Sequence, residues 1–254
     1  MKALGKKTEE VRPLGWANDP LTEFIETTRK QQFAIFVNMS PFNKVMVEFD
    51  ACFVKATENL TNPQDILGAI FFTRAHAAYR AACSTAMATL LPEAFVLLRS
   101  CLEYGGYALH VHETPTLGET WLRRNDDAEA LKTMKRAFQG VGVQKTITSK
   151  DKKLGEVYNE LYDRTIDFGG HPNLRGVLTS ARMVETEDKR EIQSVYLHAD
   201  PTAVAHALKT TAQVGLCSLH IFQHLFAARF QLLGLRDDLI QLRNFENSLP
   251  KSAA

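Results

Sequence analysis

The chain has 254 residues, 45% hydrophobic and 23% charged, with 30 Lys+Arg against 29 Asp+Glu for a formal net charge of +1. Such a composition excludes a disordered chain, which combines low hydrophobicity with high net charge. It also leaves no basic excess for non-specific binding to duplex DNA. Four cysteines on apolar stretches exclude a disulfide framework and are expected as buried thiols.

The opening residues, MKALGKKTEEVRPLGW, lack the apolar core of a signal peptide. The most apolar windows, residues 85–111 and 212–235, carry Arg99, Glu103, His220, His224 and Arg229. Charges at the centre of a membrane span are costly, so both windows read as buried core helices and no membrane partner is expected. A reducing cytoplasm follows as the expected compartment.

Residues 1–18, with three lysines, two glycines and Pro13, read as a flexible arm. Asp19-Pro20 supplies an N-cap followed by proline at the first helical position, opening a helix to about residue 39. Ser40-Pro41 restarts the pattern to about residue 59, and Asn62-Pro63 repeats the cap-then-proline signal ahead of a helix over residues 66–90. Seven alanines between Ala75 and Ala88 let other backbones approach, which makes this helix central. A long helix over residues 93–112 follows Pro92, and Gly105-Gly106 within it marks a close crossing or a kink. Residues 117–139 hold one or two amphipathic helices with Asp126 or Asp127 as the second cap. GVGVQKTITS, residues 140–149, reads as a turn or loop, and residues 151–168 return to helical spacing. GGHPN, residues 169–173, stops that helix. Residues 176–184 and 191–198 alternate as two strands around the charged turn ETEDKRE, a hairpin that must lie on the helices to be stable. Asp200-Pro201 caps a helix to about residue 233, Gly234 ends it, and residues 236–245 add a short last helix. The expected fold is therefore mainly α: a multi-helix bundle in a single domain over residues 19–254, with one small β-hairpin insertion at about 176–198.

No phosphate loop, dinucleotide fingerprint, paired-cysteine motif or nucleophile elbow is present. Three constellations remain. In LLRSCLE, residues 97–103, Arg99 and Glu103 lie four apart on one face of an apolar helix, where opposite charges must pair. They serve either as an ion pair of the core or as a binding pair that reaches a cleft. In YDRTIDFGGHPN, residues 162–173, a helix with Tyr162, Arg164 and Asp167 ends in a turn that presents His171 and Asn173. His171 can act as general acid or base and Arg164 can hold a phosphate by two hydrogen bonds. The third is His220-x-x-x-His224, two imidazoles on one helical face as zinc sites require, with His206 upstream. It lacks the adjacent Glu of a metalloprotease helix, and its apolar neighbours favour core histidines. No metal or other cofactor is expected.

The run AAYRAACSTAMATLLPEAFVLLRSCLEYGGYAL (77–109), followed by YNELYDRTIDFGGHPN (158–173), resembles a family of bacterial helical proteins of unknown function. That family pairs an LLRxxLE helix with a Tyr-rich helix ending in His-Pro-Asn. The pattern is in turn similar to the HEPN superfamily, compact helical bundles of toxins, phage-defence and RNA-cleaving proteins. Kinship with that superfamily implies metal-independent RNA cleavage by an Arg and a His, here Arg164 and His171, often across a dimer. Thr165 departs from the strongly polar residue usual after the Arg of active members. Two functional expectations follow. The first is a helical module, defence- or stress-related, that binds a small ligand or partner through Arg99, Glu103, Asp167 and Asn173. The alternative is an HEPN-like ribonuclease with RNA as its partner and Arg164 and His171 as catalytic residues. A homodimer is expected in either case.

Overall fold

A computed structural model describes residues 12–61, 63–170, 180–186 and 189–249. Among them are eleven α-helices and one two-stranded antiparallel hairpin, so the chain is mainly α as expected. The helices are α1 (Pro20–Asn38), α2 (Ser40–Glu58), α3 (Ile66–Met87), α4 (Leu91–Glu113), α5 (Thr116–Leu122), α6 (Ala128–Ala137), α7 (Gly140–Lys150) and α8 (Lys152–Thr165). A π-helical turn, Ile166–Gly170, extends α8; β1 (Ala181–Glu185) and β2 (Arg190–Ser194) follow, then α9 (Pro201–Leu225), α10 (Ala227–Leu232) and α11 (Leu235–Asn247). No helix among the described residues is long and apolar enough to cross a membrane.

Short aspartates set most of the helix starts. Asp19, Asp65, Asp127, Asp151 and Asp200 each accept a backbone N–H of the first turn, satisfying donors that have no partner within the helix. Proline stands in the first turn of α1, α2, α4 and α9, where its missing N–H costs nothing. At α3 the cap is Asp65 rather than the expected Asn62, which lies outside the described residues.

Helix α4 is the axis of the bundle, in contact with α3, α5, α7, α8, α9 and the π-turn. It runs through Gly105-Gly106 without a break, so the pair marks a crossing and not a kink. An added Cβ on Gly105 would sit 3.5 Å from Ile221 of α9, whereas one on Gly106 would come within 2.7 Å of Val143 and 2.8 Å of the Tyr158 hydroxyl. Helix α9 buries Leu208, Val214, Leu219, Ile221 and Phe222 beside it, and Phe49, Phe53, Phe72 and Tyr79 complete the centre from α2 and α3. Cys52, Cys101 and Cys217 are buried free thiols; burial pushes Cys52 up to about 11 and Cys101 up to about 12, far from reactivity at neutral pH.

Three expectations are corrected. Residues 140–149 form helix α7 rather than a loop, because Val143 and Ile147, four apart, are buried and overcome the weak helix propensity of glycine and β-branched residues. The long last helix ends at Leu225: Phe226 leaves helical geometry at φ −117°, ψ 38°, and α10 restarts after it. The second strand of the hairpin ends at Ser194, short of the expected 198; the hairpin pairs Ala181 with Ser194 through Glu185 with Arg190 and exposes Met183 and Ile192 instead of laying them on the helices. Its tie to the bundle comes just after β2, where Tyr196 meets Phe24 edge-on and the His198 N–H donates to the Thr89 carbonyl. Residues 176–179 of the expected first strand lie outside the described residues.

Part of the expected arm is strapped down. Trp16 Nε1 donates to Glu26 Oε2 at 3.1 Å, Arg29 donates to both oxygens of that carboxylate, and Arg12 approaches to 3.0 Å. The Arg29 and Trp16 hydrogen bonds hold the Glu26 carboxyl at about 2, below its usual 4.5. A depressed carboxyl stabilises the strap above the unfolded value and loses that contribution as pH falls through the folded one. In a Trp121→Phe background, which leaves Trp16 as the sole tryptophan, Trp16 emission should shift to the red between pH 4.5 and about 2. The same protein with Glu26→Gln should show no such titration; an unchanged profile would remove Glu26 as the latch.

Candidate functional site

Arg99 and Glu103 do pair, and the partner is Tyr162. Arg99 Nε donates to Glu103 Oε1 at 2.9 Å and its Nη2 donates to the Tyr162 hydroxyl at 3.1 Å, while that hydroxyl donates to Glu103 Oε1 at 3.2 Å. The guanidinium lies over the Tyr162 ring, 5.3 Å from its centroid, and Tyr162 stacks on Tyr158. These three hydrogen bonds lock α4 to α8. Half-burial of Tyr162, with the Glu103 carboxylate beside it, raises its hydroxyl above the usual value, so it stays a neutral donor.

Arg164 is two residues from Tyr162, a rotation of about 200° on a helix, and it faces away from this triad. Its Nη1 donates to Gln213 Oε1 at 2.7 Å and to Thr210 Oγ1 at 3.2 Å on α9, and Nη2 donates to Glu160. Gln213 in turn donates to Glu246 Oε1 of α11 at 3.1 Å. Asp167 is exposed on the π-turn. The structure therefore holds Arg99 and Arg164 in separate clusters. His171 and Asn173 lie outside the described residues. Gly169 next to them fits only because it has no side chain: an added Cβ would come within 2.2 Å of the Pro92 carbonyl oxygen.

The Gln213–Glu246 end of the hydrogen-bonded chain from Arg164 lines a cavity of about 510 Å³ between α8, α9 and α11. Its apolar floor is Leu154, Val157, Leu161 and Leu216; its polar groups include Gln213, His220, Gln223 and His224 from α9, Lys153 and Glu160 from α8 with its cap Asp151, and Arg236, Arg243 and Glu246 from α11. A wider trough of about 1060 Å³ lies elsewhere, between the start of α3, α5 and α10, with His112 Nδ1 3.2 Å from Asp65 Oδ2 at its edge. The smaller cavity has the character of a ligand site, an apolar floor with a few convergent polar groups from three helices.

His220 and His224 line this cavity. His220 Nδ1 is 3.4 Å from Gln223 Oε1, which makes Nδ1 the donor; Nε2 is buried without a hydrogen-bond partner among the described residues. Burial pushes both imidazoles below their usual value, with Arg243 adding to the effect on His220 and Lys150 to that on His224. Both rings are accordingly neutral at pH 7. His224 Nε2 is 3.9 Å from Asp151, and the described residues contain no cluster of three His, Cys, Asp or Glu able to hold a metal ion. His206 is elsewhere, its ring beside the stacked pair Phe95 and Phe168.

Gln213, Arg236, Arg243 and Glu246 escaped the sequence reading. The one local signal for them was Glu246, an acidic residue on the inward side of α11, where it is 5% exposed. Comparison with family models, with curated proteins and with solved structures finds no match to this chain.

Proposed function

We propose that the chain is a helical binding module whose ligand is a small molecule held in the cavity between α8, α9 and α11. The observation that carries this reading is the cavity itself. Its 510 Å³ falls within the roughly 300–1,000 Å³ of small-molecule sites, and three helices direct polar side chains into it over an apolar floor. Arg99, Glu103 and Arg164 act as architecture in this reading, tying α4 to α8 and α8 to α9. The RNA-cleaving alternative asks Arg164 to present its guanidinium to a scissile phosphate. Its bonds to Glu160, Thr210 and Gln213 support binding over cleavage.

Val157 tests the proposal, because it lines the cavity yet is 41% exposed, so a larger side chain there fills the site without entering the core. In a thermal-shift screen against a panel of small metabolites, a true ligand at about 100 times its Kd adds about 2.7 kcal/mol of stability. That should raise the melting temperature by about 5–10 °C for a domain of this size. Val157→Trp should melt like the parent without ligand and lose the shift. A shift that survives in Val157→Trp, or a panel with no response, would overturn the reading.

A further inference from the structure

The charged groups around the cavity divide into two sets with different partners. Three carboxylates line it. Glu160 is paired with Arg164, and Asp151 caps α8 through the Leu154 N–H. The third, Glu246, is 5% exposed, and its one hydrogen-bond partner among the described residues is the neutral amide of Gln213. A buried carboxylate is costly unless a cation or several donors compensate it, and a single amide leaves most of its acceptor capacity open. Three cations line the same cavity, Lys153, Arg236 and Arg243, all exposed, and none has an ion-pair partner among the described residues. Glu246 thus sits inward on α11 while Arg243, one turn earlier, sits outward with Arg236 and Lys153. Leu154, Val157 and Leu216 line the same cavity as both sets.

We infer, resting on the cavity reading above, that the ligand is a zwitterion of the amino-acid kind. Its ammonium group faces the Glu246 carboxylate, its acid group meets Arg243 with Arg236 and Lys153, and an apolar side chain lies on the leucine floor. A ligand with only one charge leaves one of the two sets uncompensated. The ammonium supplies donors to Glu246 that Gln213 alone does not, and the guanidinium of Arg243 suits the two oxygens of a carboxylate.

The experiment is calorimetric titration of the full chain with three matched probes: phenylalanine, 3-phenylpropionate, which lacks the amine, and 2-phenylethylamine, which lacks the carboxylate. Phenylalanine should bind at least about tenfold more tightly than either truncated probe. Glu246→Gln keeps the bond with Gln213 and should abolish the preference for phenylalanine over 3-phenylpropionate. Arg243→Gln, at an exposed position, should abolish the preference over 2-phenylethylamine. A truncated probe that binds as tightly as phenylalanine, and is blocked by Val157→Trp, overturns the zwitterion and leaves the cavity reading standing. Absence of binding by all three at about 10 mM overturns the zwitterion, while the cavity reading stands or falls by the thermal-shift panel. The comparison among probes is made on the parent protein, so it stands even if a variant folds poorly.

Discussion

Replacing Phe53 with alanine should lower the stability of the chain by about 3–5 kcal/mol, the cost of removing a buried aromatic ring from a packed core. Phe53 is fully buried. Its ring lies parallel to His76 at 5.0 Å between centroids and touches Tyr79 at 5.3 Å and Phe72 at 5.6 Å. The cavity left by Phe53→Ala is therefore bordered by three rings, two of them held from behind by hydrogen bonds. Tyr79 donates to the Met46 carbonyl, and His76 is bonded to Asp50, which Arg80 also grips. Rings fixed in this way cannot collapse into the gap, which places the cost in the upper part of the range. Against a typical stability of about 5–15 kcal/mol the loss is large, and thermal unfolding followed by far-ultraviolet circular dichroism should show a fall of at least about 6 °C. A loss below about 1 kcal/mol would mean that the α2–α3 contact is not a stabilising centre.

The glycine pair of α4 offers the second large effect, with its own control. Gly106→Val should cost about 3 kcal/mol, because a Cβ there falls within 2.8 Å of both Val143 and Tyr158, and both are buried too deeply to move aside. Gly105→Ala meets only ordinary contacts, the nearest at 3.5 Å from Ile221, and it removes a mid-helix glycine worth about 1 kcal/mol. It should therefore be neutral or stabilising. The pair separates sterics from helix propensity, since propensity alone makes both substitutions favourable or nearly so. Chemical denaturation of the two variants checks it; equal behaviour would contradict the close approach of α7 and α8 to α4.

The contrast within this pair also shows what the sequence could and could not convey. Gly105-Gly106 announced a crossing or a kink, but which of the two it is, and which glycine is tight, depends on Val143 and Tyr158, far along the chain. Helix starts were legible at Asp19 and Asp200 because capping is a matter of two or three adjacent residues. Arg99 and Glu103 were legible as a pair for the same local reason, whereas their third member, Tyr162, is 59 residues from Glu103. Residues 140–149 were misread because local propensity opposed the helix and burial against α4 decided it. The cavity was the least legible feature. Gln213 and Glu246 are 33 residues apart, and neither carries a motif. Histidines four apart on α9 suggested core or metal, and only the placement of α11 beside them turns that face into the wall of a site.

Helix α6 carries no buried residue, whereas α4 is clasped by its neighbours along its whole length. Opening α6 therefore breaks its own backbone hydrogen bonds, its contact with α5 and one hydrogen bond from His110 of α4 to the Ala137 carbonyl, while opening α4 requires α3, α8 and α9 to part together. Amide protons on the two helices then exchange with solvent by different routes. Those of α6 escape through a cheap local fluctuation, and those of α4 through global unfolding alone. The cavity between α8, α9 and α11 adjoins the slow part of that ladder, so a ligand that enters it meets walls already in place.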